Sequence, residues 1–199
     1  MNWADLASEK AARYARSEVV LGNTAYAAGL ATLMAGNAEA ARLWLRLAAV
    51  RWWESWESAA RDAWGRPVGA LKAALLAEDE ALLAELAPWA LGIGTRDAES
   101  PIGRYAAVLA LLVLGRALEA GELAAGLDDF PDDVAGALVA IAAGDGAAAE
   151  GAIRLVVTSF ETRDDYLEDV AVADTALVLQ LLATRAGLRV ELPVSPVLP

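Results

Sequence analysis

Residues 26–50 read YAAGLATLMAGNAEAARLWLRLAAV. On both sides of Gly36-Asn37 the chain is built from strong helix formers, with apolar positions recurring at the three- and four-residue spacing of a helix. Glycine tolerates the left-handed turn that ends a helix, and an asparagine side chain accepts from the free N–H groups that open the next one. The stretch therefore reads as two helices folded back on each other. The same pattern returns at Glu78-Asp79, Gly115-Arg116 and Gly144-Asp145, at spacings of 42, 37 and 29 residues, within the range of helical-hairpin repeats but irregular.

Extending the capping chemistry in both directions divides the chain into about ten helices. Asn2 with Asp5 opens a first helix running to about residue 21 and ending at Gly22-Asn23. A second covers about 24–35, and a long third runs from 38 to about 62. The turn Trp64-Gly65-Arg66-Pro67 puts a proline at the start of a fourth helix, which ends near 77, and a fifth follows Glu78-Asp79 to about 91. Ser100-Pro101 caps a sixth that meets the seventh at Gly115-Arg116, and Phe130-Pro131-Asp132-Asp133 starts an eighth. Gly144-Asp145 leads into a ninth; Thr162 with Asp165 resembles a capping box for a tenth that stops at Gly187. Residues 188–199 carry Pro193, Pro196 and Pro199 and are expected to be extended. The expected fold is all-α: one domain over 1–199, with stacked antiparallel αα-hairpins over 1–187.

Composition agrees with this and narrows the chemistry. Of 199 residues, 48 are alanine and 31 leucine, and 57% are hydrophobic. The longest uncharged stretch, 19–38, has the length of a membrane span. It contains Gly22, Asn23, Thr24, Gly29, Gly36 and Asn37, however, and reads as helix packing, not as a span. Residues 1–5 show no basic segment leading into an apolar run, so cytoplasmic residence is the default expectation. Histidine and cysteine are both absent. That removes disulfides, thiolate or imidazole metal ligands, cysteine nucleophiles and imidazole bases. No phosphate-binding glycine loop or serine elbow occurs, and no cofactor is expected. A net charge of -12 disfavours nucleic acid and anionic membranes as partners.

The first hairpin resembles a tetratricopeptide repeat. Gly29, Ala41, Leu45 and Ala48 fall where that family has its close-packing glycine, first alanine, large apolar residue and second alanine. Ala120 with Ala124, and Ala149 with Ile153 and Val156, occupy corresponding places in two later hairpins. The family's aromatic opening positions are Ala25 and Thr32 here, and its closing proline is Trp53. The resemblance covers about half the chain and implies a curved right-handed array of hairpins whose groove binds a protein or peptide. A fainter resemblance extends over the whole chain. The helical layout, the Gly-Asp hairpin and the ending LATRAGL at 182–188, followed by Val194-Ser195-Pro196, are similar to a family of bacterial toxin-immunity proteins. That similarity implies an acidic surface that neutralises a basic toxin by charge complementarity.

Several residues stand out individually. The third helix carries Trp44, Trp52, Trp53 and Trp56, and most of these indoles are expected in the core. Trp53 projects towards Arg42, Arg46 and Glu57, and the four form a candidate partner-binding patch. The alternative is that Trp53 packs on the next hairpin. The acids at 161, 164, 165, 168 and 169 read as a solvated face, and no metal site is expected from them. Asp174 falls among Val170, Leu177, Val178 and Leu181 on an apolar face, so it is expected to have an arginine or backbone partner, with Arg104 as candidate, or else a raised pKa. A ligand-binding or hydrolytic role for Asp174 is the remaining possibility. The stretch 105–114 has no charged side chain and is expected at the centre of the molecule.

Overall fold

The structure, a computed structural model, describes residues 2–14 and 21–199. Among these it contains ten α-helices and three short 3-10 turns, with no strand. The helices are α1 (Trp3–Tyr14), α2 (Leu21–Met34), α3 (Ala38–Glu54), α4 (Gly65–Leu76), α5 (Glu80–Gly92), α6 (Pro101–Val113), α7 (Ala117–Ala125), α8 (Asp132–Ala143), α9 (Gly146–Glu161) and α10 (Asp174–Arg185).

Four helix pairs are joined by one kind of turn. At Gly36-Asn37 the N–H of Gly36 bonds the carbonyl of Leu33 and that of Asn37 bonds Thr32, the paired bonds of a Schellman motif. The same two bonds recur at Glu78-Asp79, Gly115-Arg116 and Gly144-Asp145. In each case the first residue has positive φ; three of the four are glycine and the fourth is Glu78. The second residue at once opens the next helix. The side chains of Asn37, Asp79 and Asp145 accept from the backbone N–H three residues on, whereas Arg116 supplies no cap. A fifth turn of this kind, at Gly187-Leu188, ends α10.

Small residues let the paired helices approach closely. A Cβ at Gly29 would lie 2.7 Å from Leu45 Cγ, and Ala41, Leu45 and Ala48 are fully buried against α2. Ala120, Ala149, Ile153 and Val156 are likewise fully buried in their hairpins. α6 sits at the centre, touching α4, α5, α7 and α10, with Tyr105 to Leu111 all buried. α10 packs on α9 and α8 and also reaches back to α4. Among the described residues no helix is long and apolar enough to cross a membrane.

Three expected boundaries are corrected. Gly22-Asn23 does not end a helix but lies in the first turn of α2, where Gly22 meets an indole and Asn23 accepts a hydrogen bond from it. The expected continuation of the first helix over 15–20 lies outside the described residues. The third helix stops at Glu54 and not near 62, because the Ser55 hydroxyl takes the carbonyl of Trp52 and a 3-10 turn follows at Ser55–Ser58. The tenth helix starts at Asp174, not at Thr162. Thr162 turns its hydroxyl back onto the carbonyls of Thr158 and Ser159, so it finishes α9 and leaves no cap for a new helix. Residues 162–173 form a connection with a 3-10 turn at Leu167–Asp169, in which Glu168 and Asp169 both have positive φ.

Beyond α10 the chain has neither helix nor strand and lies along α9 and α10. Val190, Val197 and Leu198 are buried, Gln180 donates to the Val190 carbonyl, and the Val197 carbonyl accepts from the Ala173 N–H at 2.8 Å.

Candidate functional site

A cleft of about 900 Å³ opens between α2, the end of α3, the start of α4, the 162–173 connection and the first turn of α10. One wall depends on Trp52. Its indole lies between two helices at positions where both carry glycine: a Cβ would fall 2.6 Å from it at Gly22 and 2.7 Å at Gly69. Its Nε1 donates to Asn23 Oδ1 at 3.1 Å. The ring of Tyr26 packs against it at 5.1 Å between centroids. Leu21, Val68 and Leu167 complete the apolar lining.

At the inner end of the cleft lies a polar group assembled from three helices far apart in sequence. Asp174 Oδ2 accepts from Tyr26 Oη at 2.7 Å and from Lys72 Nζ at 2.7 Å. Lys72 also donates to Thr175 Oγ1 at 2.9 Å. The Lys72 and Asp174 side chains are only 12% and 14% exposed. Burial pushes the Asp174 carboxyl up, but the Lys72 ammonium and the hydrogen bonds from Lys72, Tyr26 and the Thr175 backbone outweigh it and hold the carboxyl below its ordinary value. Burial, followed by the Asp174 charge, pushes the Tyr26 phenol well up, and the same two causes raise that of Tyr105. Tyr26 is thus a permanent donor, not an acid. A smaller cavity of about 260 Å³ lies behind, and Lys72, Asp174 and Leu167 line both spaces.

Further out, the cleft carries Arg51, Glu54 and Arg66. Arg51 pairs with Glu54 at 3.1 Å, and Arg66 donates to the Ser55 carbonyl at 3.1 Å. Arg66 is half-buried and makes no ion pair among the described residues.

Three of the four residues expected to bind a partner, Arg42, Arg46 and Trp53, have contacts within the chain. Arg42 pairs with Glu78 and Arg46 with Asp79 at 3.2 Å, which fastens α3 to the α4–α5 turn. Trp53 lies 6.1 Å from Trp89 of α5, within an indole cluster that includes Trp56 and Trp64. Glu57 is exposed in the 3-10 turn. Asp174 has the expected buried ion pair, but Arg104 is not the partner. Arg104 folds back on its own helix entry and donates to the carbonyls of Ala98 and Glu99. The acids at 161, 164, 165, 168 and 169 gather no metal-binding cluster among the described residues.

Tyr26, Trp52, Arg66 and Lys72 were not marked as a site by the sequence. Lys72 had a visible signal, being the one charged residue in the apolar run 68–76. Tyr26 had none, since its partner lies 148 positions away. Compared with known proteins, the chain matches no family model, no curated protein and no solved structure.

Proposed function

We propose that the protein is a cytoplasmic, non-enzymatic binding protein whose recognition site is the cleft between α2, α3, α4 and α10, and that it holds a small organic ligand there. The observation that carries this reading is the cleft itself. Its volume of about 900 Å³ matches ordinary small-molecule sites, and it combines apolar walls with a few fixed polar groups at one end. The Tyr26, Lys72 and Asp174 side chains hold one another in place, which is the preorganisation that keeps the ordering cost of binding low.

Catalysis has little support here. Asp174 is held as a carboxylate with its pKa below the ordinary value, so it is a poor acid, and the two donors on its Oδ2 also make it a weak base. The peptide-binding reading on α3 is the weaker one, because Arg42, Arg46 and Trp53 already have partners within the chain. The scaffold is read as a tetratricopeptide-like stack of hairpins, in which α10 and the extended proline-containing tail fold across one side. Support for this comes from the four recurring turns and the close-packing Gly29 and Ala41.

The test is a neutral dye. N-phenyl-1-naphthylamine, which brightens in apolar surroundings, should gain fluorescence with the full chain. Ala63→Trp, which places an indole in the cleft mouth, should remove most of the gain without lowering the unfolding midpoint. An equal gain in both proteins would count against the cleft.

A further inference from the structure

We infer that the cleft is built for an apolar organic carboxylate, a ligand with one negative charge that Arg66 receives. This rests on the cleft being the binding site and adds the chemistry of its occupant.

Charge complementarity carries the inference. Among the described residues the cleft is lined by three cations, Arg51, Arg66 and Lys72, and by two carboxylates, Glu54 and Asp174. Arg51 is paired with Glu54 and Lys72 with Asp174. Among the described residues one positive charge is left in the cleft, that of Arg66, in a chain whose net charge is -12. The Arg66 guanidinium is fixed by one bond to the Ser55 carbonyl and keeps its other donors for a ligand.

A second feature points the same way. Arg66 belongs to the first turn of α4, which enters the cleft with Gly65, and the N-cap residue Trp64 makes no side-chain hydrogen bond to that turn. The partial positive charge of the helix start therefore adds to that of Arg66. A guanidinium fork matches a carboxylate with two parallel hydrogen bonds. A dianion such as a phosphate monoester would bring a second charge into a cleft that also carries Glu54 and Asp174, with no further unpaired cation among the described residues to meet it. The apolar body of the ligand would lie along Trp52, Val68 and Leu167.

Three naphthalene probes separate the possibilities: 1-naphthylacetate, neutral 1-naphthylacetamide and cationic 1-naphthylmethylammonium, titrated calorimetrically into the full chain. The acetate should bind tighter than the amide by about tenfold or more, and the ammonium most weakly. Arg66→Gln should bring the acetate down to the affinity of the amide and leave the amide unchanged. Arg66→Lys, which keeps the charge and loses the paired donors, should fall between the two. Equal binding of acetate and amide, or an undiminished acetate preference in either variant, overturns the inference. If both neutral and anionic probes bind equally, only the charge assignment falls. If none of the three binds and the neutral dye also fails, the cleft reading falls with it.

Discussion

Lys72 and Asp174 illustrate how one buried pair fixes three helices. Lys72 comes from α4, Asp174 from α10, and Tyr26 of α2 donates to the same carboxylate oxygen. Removing one partner of such a pair leaves a buried charge uncompensated, at a typical cost of about 3–5 kcal/mol. Lys72→Met should therefore lower stability in urea unfolding by about that amount. The double variant Lys72→Met with Asp174→Leu, which removes both charges, should recover much of it. The pH dependence has a definite sign. The folded Asp174 carboxyl sits below its unfolded value, so its contribution is fully present above the unfolded pKa and is lost as pH falls through the folded one. Asp174→Asn should accordingly flatten the acid limb of the stability profile; an unchanged limb would contradict the pairing.

The helices owe their boundaries to a turn that is written locally. At Gly144-Asp145, the glycine supplies the left-handed residue and the aspartate caps α9 through Ala148 N–H. Asp145→Ala should cost about 1 kcal/mol in thermal or urea unfolding. Arg116→Ala, at the one of the four helix-joining turns whose second residue supplies no side-chain cap, should cost less, since its exposed pair with Glu119 contributes little. This local chemistry is why the hairpins could be read from the sequence. Where a residue's role was set by a distant partner, local reading failed. Gly22-Asn23 has the composition of a helix stop, but Gly22 is required by the indole of Trp52, thirty positions later in the chain. For the same reason the sequence marked Asp174 and missed Tyr26: a lone carboxylate on an apolar face is conspicuous, whereas a tyrosine among alanines is not. Thr162 is a different case, a choice between two local partners: it has the composition of an N-cap, but its hydroxyl bonds back to Thr158 and Ser159.

Across the whole molecule, the return of α10 towards α2 and α4 makes the cleft. Asp174 bonds α2 and α4 at one end of that helix, and Arg185 pairs with Glu80 of α5 at the other. The tail holds α10 from behind through Val190, Val197 and the Ala173 to Val197 backbone bond. Burying a valine or leucine side chain contributes about 1.5–3 kcal/mol, so removing residues 188–199 should destabilise the protein by several kcal/mol. Hydrogen exchange should then rise in α10 ahead of α7 and α8. Uniform exchange along the chain would contradict this role for the tail. The net charge of -12 disfavours nucleic acid and anionic membranes but by itself points to no small ligand. Its meaning depends on where the few cations fall, and it is the fold that brings Arg66 to an apolar cleft. The most direct check on the cleft is an NMR titration of the full chain with N-phenyl-1-naphthylamine, following the Trp52 indole N–H and the leucine and valine methyls. The expected result is a shift of Trp52, Val68 and Leu167 with Leu43, Leu118 and Leu155, exposed elsewhere on the surface, unmoved. Shifts confined to those exposed leucines, with the cleft signals unchanged, would contradict it.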